Sequence, residues 1–374
     1  MKTPAPASRP VAQRIRLLLL IPHLGGGGAE RVTALLASHL PPERYEIHLA
    51  LVTVSPEGHD RIPPSVRVHR LRAPRVRRAW FSLLRLIWRV RPHVILSGIF
   101  HLNFLILALK PLLPRKTRLL VRQNSTATAS ATAGARAGYR LLYPRAHAVI
   151  CQSQPMAVDL EANFRLPRER LRVLANPVDI ASIRSASTPS PSTEPWPLLL
   201  VVCRLSHEKG IDLLILAMAA VRLRHPAARL MILGTGPEQL NHLRLIRELD
   251  LEDSVILAGH RADPTPWYHR ATLFVLPSRH EGMPNALLEA AAAGLPIVAT
   301  PCCGGVCELL QHAPGTWLAS AITSEALTHS ILAALATMTA AQVHPRRFEH
   351  AFLAPFELPA AIRAWDNLFC ELTP

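Results

Sequence analysis

The feature that most constrains this chain is an apolar run followed by a loop and a helix pattern in its second half. Thr272 to Leu276 contains β-branched and aromatic residues, which predict a buried strand. The run breaks at Pro277, and strong helix formers begin at Ala286 and end before Gly294. A strand that passes through a loop into a helix gathers unpaired backbone N–H groups at one point. This stretch therefore predicts a site for an anion or for sugar hydroxyls.

The same order of strand, glycine loop and helix occurs near the N-terminus. Arg14 to Pro22 is a near-continuous apolar strand, of the kind that is buried on both faces of a parallel sheet. It runs into Gly25 to Gly28, and a helix pattern follows from Ala29 to Leu40. Strand and helix signals then alternate along both halves of the chain. Repeated βα units predict an α/β fold with a doubly wound, Rossmann-like parallel sheet in each half.

A linker-like segment divides the chain near its midpoint. Residues 185–197 are rich in serine, threonine and proline. At 374 residues the chain is too long for one ordinary core. We therefore predict an N-terminal domain over residues 1–184, a C-terminal domain over 198–347 and a last helix within 348–374.

Charge is distributed unevenly between the two halves. Residues 1–184 hold 29 Lys+Arg and 9 Asp+Glu, whereas residues 185–374 hold 13 and 17. The N-terminal half therefore carries +20 and the C-terminal half −4, which together give the +16 of the whole chain. An excess of this size predicts an acidic partner for the N-terminal half: nucleic acid, an anionic membrane surface or a phosphorylated acceptor.

One predicted helix, Arg77 to Val90, combines arginines with aromatic residues. Trp80, Leu84 and Trp88 fall at helical spacing and form an apolar stripe beside the cations. Two interpretations are open. The segment is either a core helix with a solvated basic face or an interfacial helix that docks on anionic lipid.

No stretch of the sequence has the character of a transmembrane helix. The longest apolar run, His93 to Leu113, is interrupted by polar residues and by Pro111, and it predicts a strand followed by a core helix. Residues 1–10 lack the apolar region of a signal peptide. The six cysteines do not form paired C-x-x-C units, the usual zinc pattern. We therefore expect a cytoplasmic protein that would meet the inner face of the cytoplasmic membrane only peripherally.

Residues 281–290 carry the pattern Glu-Gly-x-Pro-Asn-x-x-x-Glu-Ala. It closely resembles the donor-site signature of retaining glycosyltransferases of the GT-B fold, specifically glycosyltransferase family 4. Gly25 to Arg31 resembles the N-terminal Gly-Gly-Ala-Glu-Arg loop of many members, and Asn176 to Asp179 resembles the element at their interdomain crossing. The resemblance implies two Rossmann-like domains that face a cleft, with the last helix returning to the N-terminal domain.

The resemblance also implies roles for individual residues. Arg204 and Lys209 are assigned to the diphosphate of a nucleotide sugar, which suits a forked guanidinium and a compact ammonium. Glu281 would lie close to the transferred sugar, and Glu289 would accept hydrogen bonds from the ribose hydroxyls. We therefore expect Arg204, Lys209 and Glu281 to be catalytic. The other expected donor-binding residues are Gly26, Gly27, Gly236, Gly259, His260, Gly282, Met283, Pro284 and Asn285.

The acceptor side departs from part of the family. Many members carry a histidine near the transferred sugar, after the fourth or fifth strand. Here the comparable segment fits the subset with Arg-x-Asn, which is Arg122 and Asn124, and lacks that histidine. His101 is a candidate substitute. A lone histidine near the start of an apolar helix is also commonly structural, so both interpretations stay open.

The absence of an Asp-x-Asp sequence bears on the chemistry. We expect Arg204 and Lys209, and no metal ion, to stabilise the charge that builds on the leaving nucleotide diphosphate. No cofactor is expected beyond the donor substrate. A UDP-sugar is favoured over a GDP- or ADP-sugar.

The resemblance implies a retaining glycosyltransferase of cell-envelope glycan or glycolipid synthesis, acting on a lipid-linked or oligosaccharide acceptor. Two alternatives remain. A nucleotide-sugar epimerase on the same fold would need acid–base residues in the cleft, and the charged residues above fit a transferase better. A non-enzymatic nucleic-acid-binding protein would explain the basic N-terminal half but would leave the second-half motif unused, so no nucleic-acid partner is expected.

Overall fold

Two parallel β-sheets organise the chain. The computed structural model describes residues 14–25, 27–53, 62–130, 132–186, 197–338 and 347–373. The N-terminal strands are β1 (Ile15–Ile21), β2 (Tyr45–Leu51), β3 (Arg67–Arg70), β4 (Val94–Ser97), β5 (Arg118–Arg122), β6 (Ala148–Cys151) and β7 (Leu171–Val173). The C-terminal strands are β8 (Leu198–Val202), β9 (Arg229–Leu233), β10 (Val255–Gly259), β11 (Leu273–Leu276), β12 (Ile297–Ala299) and β13 (Thr316–Leu318).

The order of the strands shows two doubly wound sheets. Within the described ranges, the seven N-terminal strands follow the order β3-β2-β1-β4-β5-β6-β7, and the six C-terminal strands follow β10-β9-β8-β11-β12-β13. Every strand pair is parallel. The strand order reverses beside β1 and beside β8, and ligands of such sheets bind outside the carboxyl ends of the strands at these points. The predicted α/β fold with two Rossmann-like domains is confirmed.

Helices connect the strands and cover both faces of each sheet. N-terminal to the midpoint they are α1 (Gly28–His39), α2 (Trp80–Val90), α3 (Phe100–Ala108), α4 (Ala127–Ser130), α5 (Ala133–Leu142), α6 (Gln154–Phe164) and α7 (Ile180–Ser185). Beyond it they are α8 (Ile211–Arg224), α9 (Gln239–Glu248), α10 (Thr265–Arg270), α11 (Asn285–Ala292), α12 (Gly304–Leu310), α13 (Ser324–Ala336) and α14 (Leu358–Leu372).

Strand β1 shows why a central strand reads as an unbroken apolar run. Successive side chains of a strand point to opposite faces of the sheet. Leu18 and Leu20 enter one apolar cluster, whereas Leu17, Leu19 and Ile21 enter a second cluster on the other face. All five residues are at most 1% exposed. These successive side chains of β1 therefore enter two different apolar cores, and neither face of this part of the strand is exposed to solvent.

Helix α14 packs on the N-terminal sheet although it follows the C-terminal strands. Trp365 and Phe369 are fully buried in the cluster that contains the Leu17 side of β1. The Tyr45 hydroxyl donates a hydrogen bond to Asp366 Oδ1 at 2.6 Å. A single last helix was predicted within residues 348–374, but a 3-10 helix at Ala351–Phe356 precedes α14, because the Pro355 ring does not fit the interior of an α-helix.

The chain enters the C-terminal core earlier than the predicted linker. Val178, Ile180 and Ile183 belong to the apolar cluster of the C-terminal sheet. The Val178 N–H donates to the carbonyl of Phe356 at 2.8 Å, so the two crossings of the chain lie side by side. Of the predicted linker, residues 187–196 lie outside the described residues.

Helix α2 exposes aromatic side chains. It buries Leu83, Leu86 and Ile87, while Trp80, Phe81 and Trp88 are 49%, 62% and 52% exposed. The indoles of the predicted apolar stripe therefore face outward and do not belong to the core. Among the described residues, no helix combines the length and the apolar character needed to cross a bilayer.

Candidate active site

An open cleft of about 2360 Å³ lies between the carboxyl ends of the two sheets. The predicted site residues that line it are Gly27, His101, Arg122, Asn124, Arg204, Lys209, Gly236, His260, Glu281, Met283, Pro284, Asn285 and Glu289. Gly259 and Gly282 each precede a lining residue in the sequence, and Gly26 lies outside the described residues. Both domains therefore contribute to one space, as expected where two doubly wound sheets face each other.

Lys209 and Glu281 form an ion pair in this cleft. Lys209 Nζ donates to Glu281 Oε1 at 2.7 Å, and the Ser278 hydroxyl donates to the same oxygen at 3.0 Å. Burial lowers the pKa of Lys209, but the charge and the hydrogen bond of Glu281 outweigh it, and the pKa is raised. Lys209 is therefore an ammonium group that is held in place by a carboxylate.

A glycine brings the Lys209 loop against the Glu281 loop. Gly210 has a φ of 62°, a left-handed conformation that disfavours any residue with a side chain. A Cβ on Gly210 would lie 2.0 Å from the Pro277 carbonyl oxygen. The close contact of two backbones here depends on the absence of a side chain, and it positions Lys209 opposite Glu281.

Arg204 is the second cation of the predicted diphosphate site. Its side chain is exposed in the cleft and forms no salt bridge within 4 Å among the described residues, but it lies close enough to Glu208 for its charge to oppose the effect of burial on the pKa of that carboxyl. The loop after β9 lies directly against it: a Cβ on Gly234 would be 1.8 Å from the Cys203 carbonyl oxygen, and one on Gly236 would be 2.2 Å from that of Leu205. Arg204 is thus placed at a crowded backbone junction with its guanidinium available to an anion.

Glu289 is buried and connects the two domains. It is 5% exposed, and its Oε2 accepts a hydrogen bond from the Tyr268 hydroxyl at 3.0 Å. Arg31 Nη1, from the N-terminal domain, lies 3.0 Å from Glu289 Oε1. Burial and then the charge of Glu289 raise the pKa of Tyr268, so the phenol keeps the proton that it donates. The predicted ribose-binding carboxylate is therefore oriented by one residue from each domain.

A second polar connection runs through Asn285. Its Nδ2 donates to the Gly28 carbonyl at 2.9 Å, and its Oδ1 accepts from Asn176 Nδ2 at 2.7 Å. Asn176 Oδ1 in turn accepts from Arg122 Nη2 at 2.7 Å, and Arg122 Nη1 donates to Asn124 Oδ1 at the same distance. Burial lowers the pKa of Arg122 to about 10. The Arg-x-Asn pair thus supports the domain contact through side-chain hydrogen bonds.

At Gly282 the backbones of the two domains approach each other closely. A Cβ at this position would lie 2.1 Å from the Asn124 carbonyl oxygen. Helix α11 begins three residues later at Asn285, with Pro284 at its N-cap. The glycine and proline of the 281–290 motif therefore let its loop pass under the N-terminal domain and enter the helix.

The remaining predicted residues are less constrained. His260 is exposed at the cleft and follows Gly259, whose φ of 74° favours glycine. His101 lies in the first turn of α3, exposed, with its ring centroid 3.6 Å from that of Phe100. Burial lowers the pKa of His101, which favours the neutral ring. Gly27 lies at the cleft, where a Cβ would meet the Glu30 carboxylate at 2.2 Å.

Three residues that contact the predicted site residues were not assigned a role from the sequence. Arg31 and Asn176 lie in motifs that the resemblance included, but neither was assigned a role. Tyr268 has no local signal, since its hydroxyl meets Glu289 only after α10 and α11 pack together. Among the described residues, no group of three or more histidines, cysteines, aspartates or glutamates has the geometry of a metal site.

Known protein families match both halves. Residues 26–182 match the family described as Glycosyltransferase Family 4, and residues 196–337 match Glycosyl transferases group 1. An uncharacterized glycosyltransferase of Methanocaldococcus jannaschii is 28% identical over 46% of this chain. The chain spans 44% of that relative, and 32% and 18% of two other curated relatives.

A longer match and a solved structure cover most of the chain. The N-acetylgalactosamine-N,N'-diacetylbacillosaminyl-diphospho-undecaprenol 4-alpha-N-acetylgalactosaminyltransferase of Campylobacter jejuni is 27% identical over 79% of this chain and 83% of its own length. The crystal structure of Anabaena HepE in complex with UDP-glucose is 19% identical, with a TM-score of 0.79 over 96% of this chain and 100% of that one. Together with the two family matches, this shared architecture shows that the chain belongs to the glycosyltransferases of the GT-B fold, with a family 4 N-terminal domain and a group 1 C-terminal domain.

Proposed function

We propose that this protein is a retaining glycosyltransferase that moves a sugar from a UDP-sugar to a lipid-linked or saccharide acceptor in cell-envelope glycan or glycolipid synthesis. The observation that carries the proposal is the presence of a held ammonium and an exposed guanidinium in the same cleft. Lys209 is fixed by Glu281 at 2.7 Å, and Arg204 is exposed in the cleft that both residues line. Two cations placed in this way suit the diphosphate of a nucleotide sugar.

The reaction breaks the bond between the anomeric carbon and the β-phosphate oxygen. The bonding electron pair stays on the phosphate, where Lys209 and Arg204 stabilise the added negative charge. The acceptor oxygen forms its bond on the same face of the sugar, and its proton passes to the departing phosphate oxygen. Glu281 keeps Lys209 in position and lies where the transferred sugar would approach. This sequence retains the anomeric configuration and needs no carboxylate nucleophile.

The ribose is assigned to Glu289. One of its oxygens accepts from the Tyr268 hydroxyl and the other lies 3.0 Å from Arg31 Nη1, so the carboxylate is oriented before the donor arrives. A carboxylate oxygen can accept more than one hydrogen bond, and a ribose hydroxyl can therefore be added to this arrangement. Binding of the donor would then bridge the two domains at the same point as the Arg31 contact.

Related proteins support the choice of donor and acceptor. The structurally similar Anabaena HepE was crystallised with UDP, with UDP and glucose, and with UDP-glucose. The name of the Campylobacter jejuni relative states an acceptor linked to diphospho-undecaprenol. A UDP-sugar and a lipid-linked acceptor are the corresponding proposals for this chain, with a soluble oligosaccharide as the other acceptor class.

Binding of UDP tests the assignment. Lys209→Ala is expected to weaken UDP binding by about 1.5–3 kcal/mol, the scale of a hydrogen bond to a charged group. Isothermal titration calorimetry measures this, and Lys116→Ala, an exposed lysine of the N-terminal domain, is the matched control. Equal UDP affinity in the wild type and in Lys209→Ala would contradict the assignment.

Metal independence is part of the proposal, since Arg204 and Lys209 both line the cleft and the sequence holds no Asp-x-Asp. Turnover of a UDP-sugar is expected to survive EDTA. Turnover that EDTA abolishes and manganese or magnesium restores would show that the cations are insufficient.

We also propose a peripheral membrane location for the N-terminal domain. Trp80, Phe81 and Trp88 are exposed on α2 beside its arginines, and each basic group near an anionic surface contributes about 1 kcal/mol. Co-sedimentation with anionic vesicles should therefore weaken with salt and after Arg77, Arg78 and Arg85 are changed to glutamate. No co-sedimentation at low salt would favour a soluble acceptor.

A further inference from the structure

A second pocket lies at the opposite edge of the N-terminal sheet from the cleft. It has a volume of about 480 Å³ and contains Thr117 and His147, the residues just before β5 and β6. The cleft lies at the other ends of these strands, where Arg122 ends β5. Five residues of extended strand separate Thr117 from Arg122, roughly 17 Å at about 3.3 Å per residue. The pocket is therefore a space separate from the proposed donor site.

The pocket is lined by cations that have no counter-charge. Lys110, Arg115 and Arg145 line it, and Arg118 and Arg170 lie close enough to lower the pKa of Lys110, after the larger effect of burial. None of these five forms a salt bridge within the described residues. Like charges held together in this way are repulsive, and a bound anion would relieve the repulsion.

The hydrogen-bond donors of the pocket suit an oxyanion. Lys110 Nζ is held by a bond of 2.6 Å to the Arg145 carbonyl, which leaves its other N–H groups for a ligand. His147 Nδ1 accepts from the Leu119 N–H at 2.8 Å, so the neutral ring carries its proton on Nε2 as a donor. Burial and then Lys110 lower the pKa of His147 to about 4, so the ring is neutral at pH 7. Ammonium and guanidinium groups together recognise phosphate oxygens.

The size and the surroundings of the pocket indicate more than a bare ion. Its volume falls in the range of small-molecule sites, roughly 300–1,000 Å³. Leucine and proline side chains supply apolar wall beside the cations. Leu112 adjoins it, 54% exposed, and its carbonyl accepts from the indole Nε1 of the exposed Trp88 at 3.0 Å. A phosphate with an organic substituent matches this combination better than a free ion.

We propose that this pocket binds the phosphate group of a phosphate ester, at a site separate from the donor cleft. The phosphate lies among Lys110, Arg115 and Arg145, and its organic part lies against the apolar wall. A soluble phosphate ester and the headgroup of an anionic lipid share this chemistry. The proposal goes beyond the glycosyltransferase activity and stands whether or not the chain binds UDP.

Two titrations of the 374-residue chain distinguish a soluble phosphate ester from a lipid headgroup. One uses glycerol 1-phosphate in solution, and the other uses phosphatidylglycerol vesicles compared with phosphatidylcholine vesicles. Saturable binding is expected in at least one of them. Arg115→Ala/Arg145→Ala, at two exposed positions, should weaken that binding at least ten-fold. The matched control is Arg70→Ala/Arg224→Ala, which removes the same charge from two exposed positions elsewhere and should change the affinity less than two-fold.

The outcomes distinguish specific binding in this pocket from nonspecific attraction by the positive charge of the chain. Binding of glycerol 1-phosphate identifies a soluble ester as sufficient, whereas binding of anionic vesicles alone identifies the lipid headgroup. Lys110→Gln, which keeps a donor for the Arg145 carbonyl, is a second variant. It should weaken binding of the same probe, while its melting temperature stays near that of the wild type. The proposal is overturned if the wild type binds neither probe, or if the pocket variants and the control lose affinity equally. UDP affinity should be unchanged in all of these variants because the cleft is remote.

Discussion

The cations around Lys209 in the C-terminal domain and those around Lys110 in the N-terminal domain are organised in opposite ways. In the C-terminal domain, Lys209 is paired with Glu281, and Arg279 donates to both oxygens of Asp212 at 2.7 and 2.6 Å. In the N-terminal domain, the pocket around Lys110 holds several cations and no paired carboxylate among the described residues. The net charges of the halves, −4 and +20, reflect this difference.

The difference shows what a carboxylate does beside a cation. In the cleft between the domains it fixes the position of the Lys209 ammonium, at the cost of partly neutralising the charge offered to a ligand. In the N-terminal pocket the positive charge is left uncompensated, which favours an external anion but strains the folded state. Four changes test the comparison, in order of decreasing expected effect.

The largest effect is expected from Glu281→Ala, which removes the partner of a mostly buried ammonium. Lys209 would lose its ion pair and the Ser278 hydroxyl its acceptor. We expect the free energy of unfolding to fall by about 3 kcal/mol, the lower end for a broken buried pair. Urea unfolding measures it, and Glu281→Gln, which keeps an acceptor oxygen, should lose less. Wild-type stability in Glu281→Ala would mean that the pair is not structural.

Tyr268→Phe should cost about 2 kcal/mol of stability, since it leaves a buried carboxylate oxygen of Glu289 without this donor. The benzene ring keeps its packing, so the loss reports the hydrogen bond. Thermal unfolding without UDP measures the stability of the variant. The additional shift of the melting temperature with UDP reports whether Glu289 is still oriented for binding. A melting temperature equal to that of the wild type would show that Glu289 does not depend on Tyr268.

Arg31→Ala removes a cation of the N-terminal domain that does have a carboxylate partner. Its pair with Glu289 joins the domains at 3.0 Å, with the arginine partly exposed and the glutamate buried, so we expect a loss of about 1.5 kcal/mol, between the values for exposed and buried pairs. Weaker UDP binding should accompany it if Arg31 orients Glu289. Arg70→Ala, at an exposed position of β3, is the control. Equal effects of the two variants would remove the distinction between paired and unpaired arginines.

The smallest effect is expected for the pH dependence of stability that His147 contributes in the pocket around Lys110. The pKa of His147 is about 4 in the folded chain and about 6.5 when unfolded. Its neutral form therefore contributes stability that is present above pH 6.5 and is lost as the pH falls toward 4. Because the ring is partly exposed, we expect a contribution of about 1 kcal/mol. His147→Asn, which can still accept from the Leu119 N–H, should lose less stability than the wild type between pH 7 and pH 4.5. An identical pH dependence of the two proteins would contradict this.

The local sequence predicted the helices and strands that carry a long apolar or helical pattern. Helix α1, Gly28–His39, agrees to within one residue at each end with the predicted helix from Ala29 to Leu40, and β1 lies within the predicted apolar run. Strand β13, Thr316–Leu318, was not predicted, because its residues are all partly exposed and the strand is only three residues long. Such an edge strand carries neither an apolar run nor a clear alternation.

The motif of residues 281–290 predicted residues that line the cleft but not the contacts that hold them in place. Lys209 and Glu281 were both expected in the cleft, but their ion pair was not, because 72 residues separate them. Arg31 and Glu289 belong to different domains. The pocket around Lys110 was likewise visible only as an excess of charge, since its members come from separate segments.

By itself the amino-acid sequence determined the α/β class, the two Rossmann-like sheets and the residues that carry the donor motif, because period, composition and local spacing are properties of neighbouring residues. Only the tertiary structure decided which charges are neutralised. Lys209 meets Glu281, Arg31 meets Glu289, and Lys110 meets only other cations among the charged groups that shift its pKa. Pairing depends on distances of a few ångström between distant segments, and these are set when the sheets and helices pack.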